Sequence, residues 1–172
     1  MILFVLTISL SMLMSCCSSL FPDEKLSMQR KDYLGSELRM DGYYYCYFEK
    51  TDITSIYFLF RNGIIRCAGS YSRYNEDNRE QEMVSYYDKF TPKTDWGIFV
   101  IDGNKIQYEK WVEAPSGVNA SINRCSGYIE NDTIFYITES YYSGNGKTEQ
   151  VNRVYHFREF SPKPDSTNVF IK

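Results

Sequence analysis

The chain has 172 residues, with 19 Lys and Arg against 22 Asp and Glu, and a formal net charge of −3. No basic stripe is present, which argues against nucleic acid as a partner. With 24% charged and 43% apolar residues, the composition is that of a folded domain rather than a disordered tail. The one anomaly is aromatic: 16 Tyr and 11 Phe, beside 2 Trp and a single His.

The chain opens on an apolar run from Met1 to Met14, broken only by Thr7, Ser9 and Ser11. As a helix it would span about 21 Å, short of the ~30 Å hydrocarbon core that needs about 20 residues. Residues 1–15 therefore read as a secretory leader, although no Lys or Arg precedes the apolar run. The break at Leu13-Met14-Ser15-Cys16 resembles the bacterial lipobox. That resemblance implies lipidation of Cys16, cleavage before it and acylation of the new amino terminus. Each buried CH₂ contributes about 0.8 kcal/mol, so more than one acyl chain makes a stable membrane anchor. The next residue is Cys17 rather than Asp, which by the same resemblance points to the outer membrane of the bacterial envelope. The alternative is an ordinary secretory leader that leaves both cysteines free.

Residues 16–35 contain serines, a proline and charges and read as a lipidated tether, with a poor helix over Glu24 to Leu34. Cleavage would leave 157 residues, enough for one core, and residues 36–172 read as a single domain.

The body alternates β-rich runs with turn signals. "YYYCYFEK" follows Asp41-Gly42; "IYFLF" and "IIRCAGSY" flank Asn62-Gly63, a pair that favours a type I′ hairpin turn. "WGIFVI" and "KIQYEKWV" flank Asp102-Gly103, and "SINRCSGYIE" and "TIFYITES" flank Asn131-Asp132. "SGNGK" turns the chain into a last strand, "VNRVYHFREF", for about eight in all. One segment breaks the pattern: Met83, Tyr86, Tyr87 and Phe90 have the spacing of one helix face, Asn78 with Gln81 resembles a capping box, and Pro92 stops the run. The expectation is one short helix between strands 3 and 4. Sequential antiparallel hairpins fit an all-β, up-and-down barrel, with a two-sheet β-sandwich as the alternative.

The segments "LRMDGYYYCYF", "DWGIFVIDGNKIQYEKW", "GYIENDTIFYI" and "YHFREFSPKPDSTNVF" look like those of small Bacteroidetes-type lipoproteins whose mature domains are similar to the lipocalin, or calycin, barrel. The resemblance covers most of the mature chain, although the lipocalin G-x-W signature is absent, since Gly42 is followed by Tyr43-Tyr44. It implies an eight-stranded barrel, filled by side chains or holding one small ligand. Asp132-Thr133-Ile134 and Asp165-Ser166-Thr167 also resemble the O-glycosylation acceptor pattern of exported proteins from such bacteria.

No catalytic residue is singled out. One histidine, His156, cannot make a multi-histidine zinc site, so no metal or cofactor is expected. Cys46, Cys67 and Cys125 have no ligand spacing and no forced pairing; small buried side chains are the preferred reading. "SYYSGNGKT" ends like a P-loop, but Tyr141 stands where the motif requires Gly. Glu109, Glu113, Glu130, Asp132 and Glu139 lie near strand ends without singling out a glycosidase pair.

The early strands lack clean alternation, so both their faces are aromatic or apolar. A covered outer face explains this by packing; a cavity or Tyr/Trp platform explains it by binding. Trp111, Trp96 and Tyr108 are the candidate ligand-binding residues, with Trp96 the most core-like and Trp111 at a barrel mouth. Pairing about Asp102-Gly103, with positions summing to about 205, would put Trp96 near Glu109 and at the same end as Trp111. The functional expectation is an envelope lipoprotein binding a small apolar, aromatic or glycan ligand. A module docking an envelope protein partner is the second reading, and a hydrolase the third.

Overall fold

The computed structural model describes residues 22–72, 92–117 and 119–172. Eight strands run through them: β1 (Gly42–Phe48), β2 (Ile53–Leu59), β3 (Ile64–Ser72), β4 (Trp96–Asp102), β5 (Lys105–Glu113), β6 (Ala120–Asn131), β7 (Ile134–Tyr142) and β8 (Lys147–Glu159). Each pairs antiparallel with the next, and β1 also pairs with β8. The sheet is thus a closed, lipocalin-like up-and-down barrel rather than a sandwich, and closure removes its edges. The helix expected between strands 3 and 4 falls on 78–90, outside the described residues. Among the described ones, the only helical element is a short 3₁₀ turn, Lys93–Asp95, leading into β4.

The second expected helix, over Glu24 to Leu34, does not form: the segment is extended. Its backbone donors go to the barrel instead of to its own carbonyls. Glu24 N donates to Ala120 O at 3.0 Å and Tyr33 N to Arg61 O at 2.7 Å. Residues 23–35 therefore lie along the barrel as a strap.

The hairpins form where the turn residues place them, but with different turn chemistry. At Asn62-Gly63 only the glycine has positive φ, +76°, so the turn is not type I′, which needs both. Gly63 N donates to Phe60 O and Phe60 N to Ile64 O, the pattern of a tight turn closed by a left-handed glycine. At the next hairpin Asp102 faces Lys105, leaving Gly103 and Asn104 as the loop. Paired positions there sum to 207, so Glu109 faces Ile98 and Trp96 lies opposite Trp111.

Alternation sorts each strand into an inward and an outward row. The inward row supplies Tyr44, Cys46, Tyr57, Leu59, Ile65, Phe99, Tyr108, Cys125, Phe135 and Tyr155, all buried. Their rings fill the barrel. Phe135 and Tyr155 stack at 4.7 Å, and Tyr57 sits 5.6 Å from Tyr155 and 5.9 Å from Tyr108. One end is sealed by residues 33–41: Tyr33 packs edge-on to Phe99 at 6.0 Å, and the Tyr44 hydroxyl reaches the carbonyls of Arg39 and Asp132.

A second apolar cluster lies outside the wall. Tyr43, Ile56, Phe58, Ile64, Trp96, Ile98 and Trp111 are buried there under Leu26 and Met28 of the strap and Phe160, Phe170 and Ile171 of the carboxyl-terminal tail. Lys163 pins that tail, its ammonium donating to the carbonyls of Met40 and Leu59 above the Phe60 ring.

Two glycines in the same backbone region should respond differently to alanine. Gly63 and Gly103 both have positive φ, which costs alanine about 1–2 kcal/mol. A Cβ on Gly103 meets open space, whereas one on Gly63 runs into the Lys31 carbonyl of the strap. Urea unfolding should therefore show Gly63→Ala losing clearly more stability than Gly103→Ala. Equal losses would mean that the strap does not press on this hairpin.

Candidate binding site

The candidate residues separate onto two sides of the wall. Tyr108 is fully buried inside the barrel. Trp96 and Trp111, 1% and 5% exposed, lie outside it beneath the strap and tail, at the same end of the sheet. Trp111 is not at a mouth: its indole N–H donates to Glu24 O at 2.7 Å, and the Lys93 ammonium sits 4.5 Å from its ring centre. Cys16 lies outside the described residues.

Glu109 has a structural use that its sequence position does not reveal. Its side chain is fully buried on the outer face, between the wall and the strap. The carboxylate accepts from Ser27 N at 2.7 Å, Ser27 Oγ at 2.6 Å, Met28 N at 2.9 Å and Arg124 Nε at 2.7 Å. Burial alone would raise its pKa, but these donors together outweigh burial and hold it below the usual carboxylate range. The group is a clamp, saturated with hydrogen bonds. Of the other strand-end carboxylates, Glu130 meets the Tyr136 hydroxyl and Glu139 the Gln150 amide, each at 3.4 Å.

Inside the barrel, the half away from the sealed end is polar. Lys110 and Arg153 point inward among Tyr57, Tyr108, Tyr155 and Cys125. For both cations burial opposes the charge, but the surrounding phenols and thiols outweigh it and the pKa rises; Asp95 adds to this at Lys110. Both therefore stay charged. The Tyr108 hydroxyl is buried with no hydrogen-bond partner among the described residues, and burial pushes the phenol pKa well up. Cys46, Cys67 and Cys125 are free thiols, and burial drives Cys46 up to about 11.

This half also has an opening. The β1–β8 ladder runs from Gly42↔Glu159 to Tyr45↔His156 and stops there. Beyond it β1 continues to Phe48 paired only with β2, and β8 runs back to Lys147 paired only with β7. The two strands splay around a cleft of about 610 Å³. Tyr45, Cys46, Phe48, Arg153, Val154 and His156 line it. The Arg153 guanidinium lies 5.7 Å from the Phe48 ring centre. His156 is exposed at the rim, tilted against Tyr45 at 5.8 Å. A volume of that size, with largely apolar walls and few polar groups, suits one small molecule.

Arg153 and the seam are what the sequence reading missed. Arg153 shares a strand face with Tyr155 and Phe157, and a cation on an aromatic inward row is a signal that parity alone offers. Comparison with protein-family models, curated proteins and solved structures gave no match.

Two outcomes are expected for Glu109. Glu109→Gln keeps the shape but weakens the clamp, and should cost about 1–3 kcal/mol. The native carboxyl pKa lies below its unfolded value, so its contribution is complete above the ordinary carboxylate range and lost as pH falls through the native pKa. Acid titration of unfolding free energy should show wild type losing this increment while Glu109→Gln does not. Parallel acid profiles for the two proteins would remove the clamp from the account.

Proposed function

We propose that this protein is a bacterial envelope lipoprotein, anchored through Cys16, whose barrel binds a small apolar, aromatic or glycan ligand at the seam between β1 and β8. The observation that carries the ligand reading is the cleft of about 610 Å³ where that ladder ends, walled by Tyr45, Phe48 and Val154. Such a barrel, with a largely apolar recess and a few polar groups, is suited to holding one molecule. The site is lateral, because stacked rings occupy the barrel axis. Tyr108 belongs to this reading from the inside, as a buried hydroxyl without a partner. The tryptophans enter it only by supporting the wall.

A second reading has its own support. The ring-filled interior fits a module that docks an envelope protein and carries no ligand.

Native mass spectrometry of the protein as isolated from cells separates the two. A retained non-covalent mass, released when the cleft is narrowed by Val154→Trp, is expected; a protein of bare mass from every preparation would favour docking. For the anchor, Cys16→Ser should abolish acyl labelling in the bacterium. Undiminished labelling of that variant would refute lipidation at Cys16.

A further inference from the structure

We infer that the ligand of the seam cleft carries an anionic group, a carboxylate or an equivalent oxyanion, and that Arg153 is the residue that holds it. The inference rests on the seam cleft being a binding site and names the chemistry of what it takes. Its basis is an imbalance of charge. Arg153 lines the cleft and is half-buried, yet among the described residues its side chain makes no hydrogen bond and no ion pair. Its neighbours are a ring, Phe48, on one side and the phenols of Tyr108 and Tyr155 on the other. A guanidinium removed from water is costly unless paired, and a protein that keeps one in such a place keeps a position for a counter-charge.

No carboxylate on the surrounding elements supplies that counter-charge. On the β1–β2 turn, Glu49 and Lys50 share the rim and offset each other. On β5 the facing group is Lys110, a second cation, whose nearby acid is Asp95. On β8 itself, Glu149 shares the inward row but is exposed four positions away and makes no ion pair with Arg153, and His156 sits at the rim. The balance of the recess is therefore positive.

The geometry also matches the shape of an anionic ligand with an apolar body. Arg offers five N–H donors in a planar fork that fits the two oxygens of a carboxylate. Phe48 gives a ring surface on the inward face beside Arg153, and Tyr45 gives one on the outer face at the rim, so the body of the molecule has a ring on either side of the seam. The chain thus pairs one oriented cation with an aromatic recess, which selects amphipathic anions over neutral molecules of the same shape.

Matched probes test this with the full chain as isolated. Indole-3-acetate and indole-3-acetamide differ only in charge, as do octanoate and octanamide; binding is measured by titration calorimetry. A charge-assisted pair should make at least one acid bind about tenfold or more tighter than its amide. Arg153→Met should erase that preference while leaving amide binding in place, and Arg153→Lys should restore part of it. Replacing a half-buried, unpaired charge by an apolar chain of similar length favours folding, and thermal unfolding of each variant checks this. Equal binding of acid and amide, or a preference that survives in a folded Arg153→Met protein, would overturn the anion inference and leave ligand binding standing. Failure of all four probes to bind would overturn both.

Discussion

Strands β1, β2 and β4 carry aromatic or apolar side chains on both faces, and closing a sheet into a barrel buries only one. Tyr44, Tyr57 and Phe99 go in; Tyr43, Phe58, Trp96 and Trp111 are left pointing out. An uncovered outer row of that size would form an aggregation-prone patch. The chain resolves this with its own ends. The strap covers the outer row from one side and the carboxyl-terminal tail from the other, so the two flanks of the barrel are part of its core. Each flank is extended, and an extended segment brings backbone donors that must be satisfied. Glu109 does that for the strap: one buried carboxylate takes the amides of Ser27 and Met28, and Arg124 balances its charge. Asn168 plays a lesser part for the tail, its side-chain oxygen accepting from the amides of Phe170 and Ile171.

Much of the barrel is legible in the sequence because its information is local. A turn pair such as Asp102-Gly103 between two β-rich runs specifies both an antiparallel pair and its neighbours, and a series of short connections in order leaves little choice of topology. Turn type is less legible: Asn62 fits a positive φ but does not adopt one, since the loop is one residue longer than a type I′ turn allows. A two-residue error in the register about Gly103 then moves Trp96 from Glu109 to Trp111. Parity survives such an error, which is why the facing rows are readable even where the partners are not.

What the sequence hides is non-local. Nothing in residues 23–35 marks them as a strap, because their hydrogen bonds depend on a carboxylate more than 80 positions away. The segment reads locally as a poor helix, and the competition is decided by partners that a local window does not contain. The same holds for Glu109, which in sequence is one of several strand-end acids and in space is the best-satisfied of them. The tryptophans illustrate the converse. Their position beside a barrel end suggests a mouth, but a residue near an end can face either side of the wall, and these face out.

The seam is where local and non-local requirements part. β8 spans 13 residues and β1 seven, so a single straight ladder cannot use all of β8. β7 is long enough to pair along β8 down to Lys147, and β2 keeps β1 to its end at Phe48. Below Tyr45 and His156 each strand keeps one of its two edges paired, and the deficit is concentrated on the β1–β8 side. Sealing that gap would bring β1 and β8 into register and enclose Arg153 completely, raising the desolvation cost of its guanidinium with no acid among the described residues to offset it. Leaving it open keeps the guanidinium in contact with the cleft. The open wall and the inward arginine are therefore coupled: the open half of the barrel holds Lys110 and Arg153, whereas the sealed end is packed with Tyr33, Tyr44 and Phe99.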